Sequence, residues 1–110
     1  MSYNVDITNQ AERDLRSIYE YYAFTRREPR LGKKIRQQIV QKLYSLVEMP
    51  NRYPAYQEEP WKSMGLRQVF AGSYCGLYFV KDNDVQVMRV LYGGMDISAV
   101  LDETDFDEID

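Results

Sequence analysis

Apolar residues alternate with polar ones at Tyr3, Val5 and Ile7, a period of two that predicts a short opening strand. The period then changes. Ala11, Leu15, Ile18, Tyr19 and Tyr22 fall at i, i+4, i+7, i+8 and i+11, one stripe of an amphipathic helix. Asn9 followed by Glu12 has the spacing of a capping box, and Thr8 is a second candidate cap. The helix is expected to end between Phe24 and Arg27, because Glu28 precedes a proline and is disfavoured in the α region. Pro29 suits the first turn of a second helix. There Leu31, Ile35, Ile39, Leu43, Leu46 and Val47 keep helical spacing up to Met49-Pro50, and the opposite face carries Arg30, Lys33, Lys34, Arg36, Gln37 and Gln41. A connection this short predicts a helical hairpin.

Residues 50–63 scatter Pro50, Pro54 and Pro60 among Tyr53, Tyr56 and Trp61 and read as an irregular connection. Three apolar runs follow, at 66–70, 74–80 and 85–92. They are separated by Ala71-Gly72-Ser73 and by Lys81-Asp82-Asn83-Asp84, both turn compositions, which predicts a three-stranded antiparallel meander. Residues 97–101 read as a short helix or a closing strand. Strand, two helices and three strands make an α+β domain, with the N-terminal strand and helical hairpin packed on an antiparallel sheet that ends in the meander. The pattern leaves open which later strand pairs with the first.

At 110 residues the chain is expected to form one domain over 1–101, followed by an acidic tail at 102–110 that is expected to be disordered. The tail holds six acidic and no basic residues, while residues 1–101 hold fourteen basic against eleven acidic. The body is therefore +3 and the tail −6, a polarity that the net charge of −3 conceals. The stretch from Arg13 to Lys42 alone carries nine basic residues against Asp14, Glu20 and Glu28. The N-terminus has neither the basic nor the apolar region of a secretory signal, and no apolar run approaches the ~20 residues needed to span a bilayer. With Cys75 the only cysteine, the expectation is a cytoplasmic protein. There is no histidine, so neither a metal site nor a cofactor is expected. Any acid–base chemistry would fall to Asp, Glu, Tyr or Lys, with Arg stabilising charge.

Arg67 on the first meander strand, Gly72-x-Tyr74 leading to Leu77-Tyr78-x-Val80, and Arg89-Val90-Leu91-Tyr92-Gly93-x2-Asp96 form a spaced set. Together with the order of elements over residues 3–101, this set resembles the RelE/ParE superfamily of toxins from type II toxin–antitoxin pairs, and the ParE branch most. The resemblance implies a cognate antitoxin whose C-terminal segment wraps the toxin. For the ParE branch it implies poisoning of DNA gyrase by binding; for the RelE branch, cleavage of mRNA on the ribosome. A third outcome is a non-toxic interaction module on the same scaffold.

Cleavage through a 2′-hydroxyl needs a base, stabilisation of a dianionic phosphorane and an acid for the leaving oxygen. On the RelE reading the candidates for these roles are Arg67, Arg89 and Tyr92. Cys75 stands where many relatives carry Arg, and Tyr92-Gly93-Gly94-Met95-Asp96 where relatives show His and paired arginines. The missing guanidiniums favour binding over turnover. Candidates for contact with target or antitoxin are Arg67, Tyr74, Tyr78, Trp61, Arg30, Lys33 and Lys34. Arg67 is alternatively paired with an acid such as Asp96, and Arg89, expected on the face of Val87 and Leu91, is read as a structural ion pair or an interface anchor.

Overall fold

The opening alternation forms strand β1 (Asn4–Ile7) in the computed structural model, which describes residues 2–107. Thr8, almost fully buried, then closes the strand and starts the next element. Its N–H and hydroxyl both donate to the Val87 carbonyl, at 3.1 and 2.8 Å, and its Oγ accepts from the Ala11 N–H at 3.3 Å. Thr8 and not Asn9 is therefore the cap of helix α1 (Asn9–Glu20). A single π-turn, Tyr21–Thr25, extends α1, and Arg27 takes a left-handed φ of 56° to end it. Helix α2 (Pro29–Tyr44) starts on its proline as expected. A Cβ on Gly32 would lie 3.1 Å from the Tyr19 carbonyl and ring, so the two helices approach closely at the mouth of the hairpin.

After a left-handed Met49 (φ 48°), the connection passes through a 3₁₀ turn at Pro50–Arg52 and one helical turn, α3 (Trp61–Met64). The meander follows as β2 (Arg67–Ala71), β3 (Tyr74–Lys81) and β4 (Asp84–Tyr92). Gly72 (φ 60°) and Asp82 (φ 56°) supply the positive φ that the tight turns require. The strand order is β1-β4-β3-β2, and β1 lies parallel to β4 through pairs Asn4–Asp84 to Ile7–Val87. The sheet is thus mixed, its antiparallel part being the meander.

A bulge alters the face that sequence alternation assigns to Arg89. Leu77 pairs with Arg89 and Tyr78 with Val87, so Met88 has no partner on β3. Side chains paired across strands share a face. Val85, Val87 and Val90 therefore meet the helices, beside Leu15, Ile39 and Leu43. Arg89 joins Leu77 and Leu91 on the other face, opposite to Val87.

That second face is covered too. Cys75, Leu77 and Leu91 pack there with Tyr56, Trp61 and Leu66 from the connection and with Leu101 of helix α4 (Ile97–Asp102). Three buried apolar residues on this side of the sheet need such a lid, and the hairpin alone cannot provide it. Asp96 caps α4, its Oδ1 accepting from the Ala99 N–H at 3.2 Å. In the described part of the acidic segment, Phe106 packs edge-to-face on Phe79 at 5.8 Å, and the Gln10 side-chain amide exchanges two hydrogen bonds with the Asp105 backbone. Residues 108–110 lie outside the described residues.

Gly76 sets the distance between α2 and the sheet. A Cβ there would stand 2.6 Å from Leu43 Cδ2, and Leu43 is itself fully enclosed. Gly76→Ala is expected to lower stability by about 1–3 kcal/mol in a urea titration. An unchanged midpoint would show that the core has room this packing denies.

Candidate functional site

Two strand ends and one helix end meet at a cleft. Tyr74 opens β3 and Tyr92 closes β4, and the two are paired in register with rings edge-to-face at 6.0 Å. The π-turn brings Tyr22 to them: its hydroxyl lies 3.1 Å from that of Tyr74. Tyr21 stacks edge-to-face on Tyr22 at 5.2 Å, and the Arg26 guanidinium sits 5.9 Å from the centre of the Tyr22 ring. These five residues line a cleft of about 470 Å³. Tyr21 and Tyr92 are each about half exposed (47% and 53%). Burial, followed by the Tyr22 hydroxyl, pushes the Tyr74 phenol above its ordinary range, so it stays a neutral hydrogen-bonding group.

Beside the cleft, β1 is too short to cover the outer edge of β4. Asp14 of α1 closes it instead, accepting from Arg89 Nε and Nη2 at 2.7 Å each and from the Val90 N–H at 2.9 Å. Arg89 Nη1 donates to the Thr104 hydroxyl at 3.0 Å. The Asp14 hydrogen bond holds Arg89 firmly charged, against the opposing effect of burial. The arginine is a structural pair.

The other expected residues are dispersed. Arg67 shares a face with Tyr78, on the helix side of the sheet, and its Nη1 donates to the Tyr53 carbonyl at 2.6 Å. It does not pair with Asp96, which is engaged as a helix cap. Arg67, Arg89 and Tyr92 are not brought together: two strand spacings, ~10 Å, and the thickness of the sheet separate the arginines. Tyr78 is fully buried, its hydroxyl donating to the Pro50 carbonyl at 2.6 Å and its pKa pushed up to about 12 by burial. Trp61 is 6% exposed and packs on Tyr56. Neither ring is offered to a partner as expected; both are core. Arg30, Lys33 and Lys34 are exposed on α2 and do not line the cleft.

Sequence reading missed Tyr21 and Arg26 and assigned Tyr22 wholly to the helix stripe. One signal was present. Consecutive tyrosines at 21 and 22 cannot both face one core on a helix, where neighbours diverge by about 100°.

The cleft can hold a planar side chain against its rings and bond it to tyrosine hydroxyls, with Arg26 for an adjacent negative group. Among the described residues no group of three His, Cys, Asp or Glu could hold a metal ion. The one thiol, Cys75, is enclosed in the second core, and burial pushes its pKa up to about 11.

The chain resembles known proteins over nearly its whole length. The family described as ParE toxin of type II toxin-antitoxin system, parDE, matches residues 5–97. The chain belongs to the ParE toxin family. Solved structures share the fold. In the chromosomal ParDE system from P. aeruginosa, the matching chain is 23% identical with a TM-score of 0.69, over 83% of this chain and 96% of that one. The toxin–antitoxin complex RelBE2 from Mycobacterium tuberculosis gives 24% and 0.60, over 84% and 99%. A double-arginine mutant of E. coli RelE in the free state gives 22% and 0.63, over 94% and 95%. No curated protein matches in sequence. The ParE match ends at the first turn of α4, so the cleft and the Arg89–Asp14 pair lie inside it and the Thr104–Phe106 contacts beyond it.

Asp14→Ala would strand the Arg89 charge, whose side chain is 18% exposed in the native pair. The expected loss is about 3–5 kcal/mol by urea denaturation, and a loss below about 1 kcal/mol would contradict the bridging role. Native protein should also leave Cys75 unreacted with iodoacetamide at pH 8 under conditions that alkylate the urea-unfolded chain. Equal rates in the two states would contradict its enclosure.

Proposed function

We propose that this chain is a toxin neutralised by a cognate antitoxin, and that it acts by binding a macromolecular target such as DNA gyrase at the tyrosine cleft, without turnover. The observation that carries this reading is the fate of Arg89. Its guanidinium is committed to Asp14 and Thr104, and Arg67 faces the opposite side of the sheet. Among the described residues no pair of guanidiniums converges on Tyr92 to stabilise a phosphorane. The cleft, by contrast, needs no change to receive an aromatic anchor, the chemistry that dominates interface energetics.

The family, and relatives that include a ParDE toxin–antitoxin system and the RelBE2 complex, support the partner. A site for it is available on β4. Beyond Val87 no described strand pairs with the outer edge of β4, where Ile18, Leu91, Tyr92, Met95 and Val100 line an apolar groove. An apolar antitoxin segment laid in this groove, over the edge that Asp14 closes, would shield the cleft. A gyrase target requires a cytoplasmic protein, and no described helix is long and apolar enough to cross a membrane.

Inducible expression tests the reading. Expected are growth arrest with DNA breaks, rescue by the adjacent antitoxin gene, and relief of arrest by Tyr21→Ser with Tyr92→Ser in a protein that keeps its thermal midpoint. Each lost ring should weaken target binding by roughly 10- to 30-fold. Arrest with codon-positioned mRNA ends, or normal growth with soluble protein, would overturn it.

A further inference from the structure

Helix α2 contains no Asp or Glu anywhere between Pro29 and Tyr44. Its outward row is Arg30, Lys33, Lys34, Gln37 and Gln41, all exposed, on a helix about 24 Å long. At its C-terminal end the row runs into three more cations gathered on Tyr53. Lys42 Nζ stands 5.5 Å and Arg52 Cζ 4.9 Å from the ring centre, Arg52 Nη2 donates to the Tyr53 hydroxyl at 2.9 Å, and Arg67 holds the Tyr53 carbonyl. Among the described residues, none of Arg30, Lys33, Lys34, Lys42, Arg52 and Arg67 forms an ion pair. Burial raises the Tyr53 phenol, yet Arg52 and Lys42 together outweigh it and bring the group below its ordinary range, a sign of net positive potential.

We propose that the outer face of α2 and the Lys42–Arg52–Arg67 cluster form a docking surface for the phosphate backbone of duplex DNA. Like charges held together without acids repel, and a polyanion relieves that repulsion. A duplex carries about one charge per 1.7 Å of axis, so a stripe of this length meets enough phosphates for six cations. Most of the stripe lies along one regular helix, and its glutamines add neutral donors to phosphate oxygens. A single strand would need free aromatic faces for its bases, whereas Tyr53 has both cations over its ring. The C-terminal segment packs on the far side of the sheet through Phe106 on Phe79 and Thr104 on Arg89, and Asp105 meets α1 at its first turn, on Gln10. None of these contacts is with α2, so the acidic segment is set apart from the cationic row and the net negative charge does not prevent a helix-first approach.

The test is fluorescence anisotropy of the full chain with a 20-bp duplex of arbitrary sequence, at 50 and 200 mM salt. Six phosphate contacts predict a log–log salt slope near about −5. Lys33→Glu with Lys34→Glu should weaken binding more than 10-fold at the lower salt and flatten the slope by about two. The same charge change at exposed Lys62 and Lys81 should cost less than 3-fold. The surface is overturned by no binding at 50 mM salt or by equal losses in the two double variants. Tighter binding of poly-glutamate or single-stranded RNA than of the duplex would overturn it as well. The titration does not involve the tyrosine cleft, so its failure and that of the growth assay are separate results.

Discussion

One guanidinium holds the layers of this protein together. The four residues of β1 cover only the first half of β4, and the second half would otherwise present open backbone between two layers. Asp14 reaches across from α1 to take the Val90 N–H and two Arg89 donors, while Arg89 passes its remaining contact to Thr104 on the far face. Helix, strand edge and C-terminal segment are thereby fixed to one another at a single partly buried ion pair. A pair of this kind adds little net stability over an apolar substitute, but losing half of it is costly. It makes the arrangement specific. It also engages all three nitrogens of the Arg89 guanidinium.

Most of the fold was legible because it follows from periodicity. The change from period two to period 3.6 at Thr8, the proline at 29 and the turn residues at 71–73 and 81–84 each stand where the chain changes state. The faces of β4 were not legible, since a bulge at Met88 shifts the register and nothing local in Val85–Tyr92 announces it. Parallel pairing of β1 with β4 is equally a product of the whole topology. The apolar residues on both sides of β3 did carry a signal that the sheet is covered twice. Cys75, Leu77 and Phe79 alternate with Tyr74, Tyr78 and Val80, so neither face is polar.

The candidate site was harder to read than the fold. Tyr74 and Tyr92 were recognisable as a strand start and a strand end, yet their partners come from a π-turn that rotates Tyr22 toward the sheet. Trp61 and Tyr78 misled for the converse reason. Aromatic residues near prolines or in a Tyr-rich strand look like surface anchors, and burial decides otherwise: Tyr78 spends its hydroxyl on the Pro50 carbonyl inside the core. What results is a molecule with an aromatic cleft at one end and a cationic stripe along its helical side. Both are the surfaces proposed above for recognition, and on neither do Arg67 and Arg89 converge.

Binding without turnover is the central claim, and stoichiometry tests it most directly. Purified chain titrated against gyrase and relaxed plasmid should abolish supercoiling with an end point near one chain per enzyme subunit, and leave mRNA intact on programmed ribosomes. Cleavage of many transcripts per chain on those ribosomes, with gyrase unaffected at the same concentration, would contradict the account.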